Sequence, residues 1–419
     1  MINIDLIRSD PDLVRAAMVD RGECVNIDAA AELDLERRKL VTDADALRAQ
    51  RNEGSRQLGK SKERTAALVE EMRNVGSQIK TLEQQARKLE EKLHDILLTI
   101  PNIPSDDTPK GGDDSGNVVT RTEGEIPSFE FDPLPHWEIG ERLKIIDFKR
   151  GVKLAGSRFY VLKGKGAALQ RALITWMLKL HLEQHGYEEL YVPFMVNKET
   201  VTGSGQLPKF ADTMYHDDED DIWMIPTSEV SMAGFHREEI LSPGVLPLNY
   251  TSHSPCFRRE KAAAGKDRRG IKRVHQFEKV EMFKYVEPTE SDAALTRLVS
   301  EAEDVSKALG VPYRIVQLCT GALGQAAAKT FDLEMWAPGS REWLEVSSCS
   351  NCTDYQARRA NIRYRAENGA RPQYVHTLNG SGLGLPRVIV AILENYQQPD
   401  GSVLIPEVLH PFTGFDRIE

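Results

Sequence analysis

The sequence predicts an α+β fold, an antiparallel sheet flanked by helices, preceded by an N-terminal antiparallel α-helical coiled-coil arm. Three observations carry this. Residues 28–98 contain no proline and are dominated by Glu, Lys, Arg, Leu, Ala and Gln. Residues 101–140 turn to a connector composition, with Pro101, Pro104, Pro109, Pro127, Pro133, Pro135 and the run Ser105-Asp106-Asp107. Beyond them, over 141–419, helical stretches mix with short alternating strands in an order that suits antiparallel pairing better than repeated βαβ units.

The hairpin rests on periodicity. Leu68, Met72, Val75, Ile79, Leu82, Ala86, Leu89, Leu93 and Ile96 follow one another in steps of four and three, which is a heptad ladder. The first half is looser: Leu33, Leu40, Ala44, Leu47 and Leu58 hold a seam that Arg37, Arg51 and Gly54 interrupt. Gly59, Lys60 and Ser61 break the pattern between the halves. Two antiparallel arms over about 28–59 and 62–98 follow, each on the order of 50 Å long at ~1.5 Å per residue. A heptad pattern alone equally suits a dimerising coiled coil or a solvated spacer. The expected tip, however, gathers Arg51, Arg56, Lys60, Lys62 and Arg64 against Glu53 and Glu63, on a chain whose formal net charge is −10. Local positive charge on an acidic protein suits a partner that carries phosphates.

Five cysteines in 419 residues, Cys24, Cys256, Cys319, Cys349 and Cys352, are too sparse for a disulfide framework and point to a reducing compartment. Cys349-Ser-Asn-Cys352 has the spacing of a ligand pair, but no second pair accompanies it and no zinc is expected. Asp5, Arg8 and Asp10 stand where a signal peptide would be apolar. The run Val388–Leu393 is far too short to span a bilayer. A cytoplasmic protein with no membrane association is expected.

Four segments carry candidate chemistry. Ser254–Glu260 reads as a strand entering a turn, and Arg273–Phe283 as the returning strand. Period-two geometry puts Arg258 and Glu260 on one face, and Arg273, His275, Phe277, Lys279 and Glu281 on one face of the partner. Such a face is a poor core, because buried charge must be paired. It suits a nucleotide, since arginine grips phosphate and a ring stacks on a base. It equally suits a salt-bridged outer face. Ile225–Val230 reads as a strand with Thr227 and Glu229 on one face, able to receive an amino group. Leu344–Cys349 places Glu345 in an apolar strand, where Mg²⁺ would explain an isolated carboxylate. Asn379–Arg387 reads as a tight Gly-rich turn entering a helix over 388–394, with Pro386 in the first turn and Arg387 where a helix N-terminus favours anions.

Together these residues resemble a known family. Arg258-Arg259-Glu260 with Arg273–Glu281 resembles motif 2 of class II aminoacyl-tRNA synthetases, and Asn379–Arg387 resembles motif 3. Leu169–His185 with the strand ending at Pro193 resembles motif 1, the dimer-forming element. Thr227-Ser228-Glu229, Arg273–Phe277, Glu345–Asp354, Asn379–Gly382, Pro135-His136-Trp137 and the hairpin are similar to seryl-tRNA synthetases in particular. The resemblance covers nearly the whole chain.

It implies a 1–100 tRNA-binding domain, a linker and start of the catalytic domain over 101–140, and a catalytic domain over 141–419. It implies ATP and Mg²⁺, L-serine and tRNA(Ser) as partners, with tRNA(Sec) also charged in the family, and a homodimer. Thr227, Ser228, Glu229, Glu281 and Ser381 match positions that hold serine. Arg258, Arg259, Glu260, Val274, Phe277, Glu345, Val346, Ser347, Ser348 and Arg387 match ATP contacts. Of these, Arg258, Glu260 and Arg387 are the catalytic set, and Glu345 with Ser348 the metal corner. Arg51, Arg56, Lys60, Lys62 and Arg64 would meet tRNA. The chain departs from the family at Lys261 and Ala262, at Gly321-Ala322, and at Gly384 and Leu385. Two other readings keep parts of this pattern: a ligase that loads an amino acid onto a carrier protein, and an inactive paralogue used as a coiled-coil scaffold. The former lacks a helical arm, and the latter does not need Arg258, Glu281, Glu345 and Arg387 together.

Overall fold

The heptad-patterned segment forms two long helices, α1 (Ile27–Lys60) and α2 (Ala66–Thr99). The computed structural model describes residues 1–60, 66–261 and 269–419, which divide into two units. One comprises Ile2–Val19 and Glu23–Ile100, the other Met1, Asp20–Gly22 and Pro101–Glu419.

In the first unit α1 and α2 pack along each other. Val75, Ile79, Ala86 and Leu93 of the ladder are buried, as is Ala44 opposite. Gly54 is no interruption: a Cβ there would lie 2.4 Å from Met72 Sδ, so the glycine makes room for Met72. Near the start of α1, Asp34 is 1% exposed and takes Arg8 Nε and Nη2 at 2.7 Å each and Arg38 Nε at 3.0 Å. Those cations, Arg8 foremost, hold its carboxyl below the usual range. Of the expected tip, Arg51 and Arg56 are exposed on α1, Lys60 closes that helix, and Lys62 and Arg64 lie outside the described residues.

The second unit is built on an eight-stranded sheet of β1 (Val118–Glu123), β2 (Glu188–Glu189), β3 (Leu248–Phe257), β4 (Gln276–Val286), β5 (Tyr313–Gln317), β6 (Lys329–Ala337), β7 (Glu342–Asn351) and β8 (His376–Gly384), in the order β1-β5-β6-β7-β8-β4-β3-β2. All pairs are antiparallel except β2 with β3. The Pro-rich connector therefore contains structure that its composition hides: its β-branched Val118-Val119-Thr120 supplies an edge strand.

Three helices, α3 (Lys165–Glu183), α4 (Ser291–Leu309) and α5 (Leu385–Asn395), contribute one layer of the core. Leu169, Leu173 and Met177 of α3, Leu295 and Leu298 of α4, and Val388–Leu393 of α5 cluster with Val280, Met282, Leu333, Met335 and Val346 of the sheet. Strand alternation then turns Phe277, Lys279 and Glu281 to the opposite face, which is where the cleft lies. No helix among the described residues is long and apolar enough to cross a membrane.

Candidate active site

That opposite face of the sheet bears a cleft of about 720 Å³. Thr227, Glu229, Arg258, Glu260, Val274, Phe277, Glu345, Val346, Ser348, Ser381 and Arg387 all line it. The fold thus brings together segments 160 residues apart. Ser228, Arg259, Glu281 and Ser347 do not border it. Ser228 Oγ is bonded to Ser254 Oγ at 2.6 Å. Arg259 Nε donates to Met214 O at 2.7 Å with its guanidinium over the Tyr215 ring. Ser347 Oγ donates to Ser381 O at 2.6 Å, fastening β7 to β8. Glu281 is fully buried behind Thr227 and Lys279.

Local structure differs from the reading of the sequence at three places. Thr227 and Glu229 are not on a strand. A five-residue helix, Glu229–Ala233, begins there, and Thr227 Oγ1 accepts the Glu229 N–H at 3.2 Å, satisfying a donor that a helix start leaves free. Arg258 and Glu260 lie past the end of β3, with Glu260 in the left-handed region at φ 45°, and Arg273 and His275 lie before β4, which begins only at Gln276. Asn379–Gly384 is not a turn but the end of β8. Its glycines answer crowding: a Cβ on Gly380 would lie 2.9 Å from Cys349 Sγ, and one on Gly382 would lie 2.4 Å from His181 Nε2. His181 Nε2 lies 3.1 Å from Gly382 O, so the α3 ring rests directly on this strand. Gly384 is under no such demand, since a Cβ would find only Val346 O at 3.6 Å. Cys349 and Cys352 are free, 1% exposed thiols, and burial pushes Cys349 up to about 12, so both are protonated packing groups.

Two charge clusters share the cleft. In one, Glu229 Oε1 accepts Gln356 Nε2 at 2.7 Å. Thr377 Oγ1, donating to Gln356 Oε1 at 2.7 Å, fixes that amide's orientation. Burial, then the Glu281 charge, raise Glu229 to about 7. Thr227 Oγ1 lies 3.2 Å from Glu281 Oε2 and 2.7 Å from Lys279 Nζ. Glu281 Oε1 is buried without a partner, a costly state for an acceptor unless something supplies a donor. Nearby, the Arg258 guanidinium lies 5.0 Å from the Phe277 ring centre, with Nε 3.3 Å from Pro226 O.

In the other cluster Arg387, in the first turn of α5, donates Nη1 to Glu345 O at 2.7 Å and lies 3.3 Å from Glu345 Oε2. Asp332 of β6 pairs across from Ser348 of β7. Burial, then Glu345, push its carboxyl well up, and its Oδ1 is buried without a partner. An orphaned carboxylate oxygen beside Glu345 and the Ser348 hydroxyl is an all-oxygen donor set of the kind Mg²⁺ takes together with substrate phosphates. The residues present therefore fit such an ion. Sequence reading missed Asp332, whose place in an alternating strand gives no local signal. It also missed Gln356, which only the tertiary fold brings to Glu229. Lys279 was legible as a member of the Glu281 face but not as a wall of the cleft.

Comparisons with known proteins place the chain at two levels. Residues 210–396 match the tRNA synthetase class II core domain (G, H, P, S and T), which defines the class to which sheet and cleft belong. Residues 1–104 match the seryl-tRNA synthetase N-terminal domain. A serine–tRNA ligase of Thermomicrobium roseum is 56% identical over 417 residues, covering 99% of this chain and 94% of that protein. One from Dehalococcoides mccartyi is 53% identical over the full length of both. The crystal structure of seryl-tRNA synthetase from Pyrococcus horikoshii complexed with ATP superposes with a TM-score of 0.95 at 39% identity, covering 100% of this chain and 99% of that one. The chain belongs to the seryl-tRNA synthetase family.

Proposed function

We propose that this chain activates L-serine with ATP to seryl-adenylate and transfers the seryl group to tRNA(Ser), with tRNA(Sec) as a second acceptor. The observation that carries the chemistry is one cleft with two charge clusters. The Thr227–Glu229–Glu281 cluster suits an ammonium and a hydroxyl. The arginines and carboxylates around Phe277 and Arg387 suit a metal-bound triphosphate and its base.

Serine carboxylate and ATP α-phosphate are both negative, and holding them in line supplies much of the rate, on the order of 7–11 kcal/mol. Glu229 takes the serine ammonium, with Thr227 beside it. Glu281 and Ser381 serve the side-chain hydroxyl, and Ser228 braces the Thr227 segment from below. A carboxylate oxygen then forms a bond to the α-phosphorus while the bond to pyrophosphate breaks. Arg258 offsets charge at the α-phosphate, and Arg387 offsets it further out. Phe277 and Val274 bound the adenine, Glu260 meets the nucleotide, and Val346 and Ser347 shape the strand that presents Glu345. Glu345 and Ser348 would hold Mg²⁺, with Asp332 against Ser348; when bound, the ion supplies charge neutralisation on the phosphates. In the second step a ribose hydroxyl of the terminal tRNA adenosine attacks the acyl carbon, and AMP leaves.

The 1–100 segment is the tRNA-holding part, with Arg51, Arg56, Lys60, Lys62 and Arg64 as the residues that meet its phosphates. The 141–419 segment does the chemistry in a cytoplasmic homodimer. Exposure of Tyr191 and Met195, just beyond α3, supports a partner subunit there.

Amino-acid-dependent ATP–pyrophosphate exchange with Mg²⁺ and without tRNA tests the adenylate step. Screening all twenty amino acids is expected to give exchange with serine alone. Exchange with another amino acid, or with none, overturns the assignment of the cleft.

A further inference from the structure

The residues just past β3 and just before β4 lean on a segment that does not border the cleft, residues 156–160. A short helix, Phe148–Ala155, ends at Gly156, and the chain turns back along it. A Cβ on Gly151 would lie 2.4 Å from Phe159 O, so the two backbones touch. Past Gly156, half-buried Arg158 takes the left-handed region at φ 62°. Its carbonyl accepts His275 N at 3.2 Å, and its Nη1 donates to Glu260 O. His275 is in turn joined to Arg258: its carbonyl accepts Arg258 N at 2.9 Å, and its Nδ1 lies 2.9 Å from Arg258 O. The Phe159 and His275 rings lie 5.3 Å apart. One residue therefore holds both stretches, with its carbonyl on the side that enters β4 and its guanidinium on the side that leaves β3.

Glu260 needs such a hold. Its own backbone is left-handed, at φ 45°, a conformation that is costly for a residue with a side chain and persists only where the surroundings impose it. Glu260 lines the cleft, yet its carboxylate is tied loosely: Arg273 Nη1 stands 3.9 Å from Oε2, beyond hydrogen-bond range. The direction of the carboxylate is thus set by its backbone, and Arg158 grips that backbone at the carbonyl. We propose that Arg158 is a positioning residue for the nucleotide and acts through Glu260. This rests on the reading of Glu260 as an ATP contact given above.

A guanidinium suits the task. It is planar and always charged, so the carbonyl receives a donor of fixed direction. The bond from His275 N goes to the Arg158 backbone and survives any change of its side chain. A substitution at Arg158 therefore reads the guanidinium.

Pyrophosphate-exchange kinetics with serine, on four full-length variants with their urea midpoints, test this. Arg158→Met keeps the apolar stem and removes the donors. Arg158→Lys keeps a cation without the planar fork. Glu260→Ala removes the carboxylate but leaves the carbonyl that Arg158 grips, and the double variant joins it to Arg158→Met. In Arg158→Met, KM for ATP is expected to rise about tenfold, with kcat and KM for serine within about threefold of the parent. Arg158→Lys is expected to recover at least about threefold of that loss. In the Glu260→Ala background, Arg158→Met should change KM for ATP by less than about twofold, because no carboxylate remains to be aimed. If the two changes instead multiply, or if KM for serine and KM for ATP rise together with a lowered urea midpoint, Arg158 only supports the fold and the proposal is overturned. If Glu260→Ala alone leaves KM for ATP within about twofold, the nucleotide reading of Glu260 is what fails, and the role of Arg158 falls with it.

Discussion

Glu229 carries the clearest pH signature in the cleft. Its carboxyl stands at about 7, raised first by burial and then by Glu281, against 4.5 for a free glutamate. The folded chain therefore keeps a proton there between about pH 4.5 and 7 that the unfolded chain has lost. The contribution to stability is negative in sign above that window: it declines as pH rises across it. Ligand binding runs the other way. A serine ammonium needs the ionised form, so binding at pH 7 should expel about half a proton. Calorimetry in buffers of different ionisation enthalpy reads this directly. KM for serine in the exchange reaction is expected to fall roughly tenfold from pH 6 to pH 8, following the ionised fraction of a group at 7. Glu229→Gln should bind serine weakly and show neither the proton release nor the slope. A parental slope in that variant would assign the titration to another group.

At the scale of elements, α5 joins chemistry to fold. Its N-terminus presents Arg387, and its buried far end presents Glu394. That carboxylate accepts His136 N and Nδ1 at 2.9 Å, Ser340 N at 2.8 Å and Ser340 Oγ at 2.8 Å. His136 Nε2 in turn accepts Ile271 N at 3.1 Å, with the Arg269 guanidinium over the Trp137 ring at 4.9 Å. The Pro135-His136-Trp137 motif thereby ties residues 269–271, just before the cleft residues Lys272, Arg273 and Val274, to α5. His136 carries its ring proton on Nδ1, because the Ile271 N–H needs Nε2 as its acceptor. Glu394→Ala strands four donors and should cost about 3–5 kcal/mol, measured as a lowered urea midpoint at unchanged m-value. Glu394→Gln, which keeps an acceptor oxygen, should cost less. Equal losses would mean that volume rather than hydrogen bonding sets the effect. This network also marks the limit of sequence reading. The ladder from Val75 to Leu93 and the helix after Gly384 were legible, because heptads and helix starts are local patterns. The companions of Glu394, Glu229 and Ser348 were not, since each lies in a different strand or helix and only the tertiary fold selects it. The glycines of β8 were visible but misread: glycine signals close approach as readily as a turn, and the approaching atoms, Cys349 Sγ and His181 Nε2, are distant in sequence.

For the whole molecule the central difficulty is electrostatic. A chain of net charge −10 must hold a polyanion, and its long-range field opposes that. Activation of serine involves only small ligands, and all of its candidate residues lie in the unit containing Pro101–Glu419. Transfer requires tRNA, and exposed Arg51 and Arg56 lie in the other unit. The two half-reactions should therefore separate when the arm is removed. A variant lacking Asp28–Leu98, with a short link in their place, is expected to keep serine-dependent ATP–pyrophosphate exchange within about twofold, while aminoacylation of tRNA(Ser) falls by roughly 100-fold or more. Replacing Arg51 and Arg56 by Glu in the full-length chain should act in the same direction but more weakly. The loss relative to the parent should shrink with added salt, since the variant makes fewer phosphate contacts and its binding is the less salt-dependent of the two. Aminoacylation undiminished by deletion would remove the arm from tRNA binding and reopen the carrier-protein acceptor. Loss of both activities would mean that the arm supports the fold of the cleft itself.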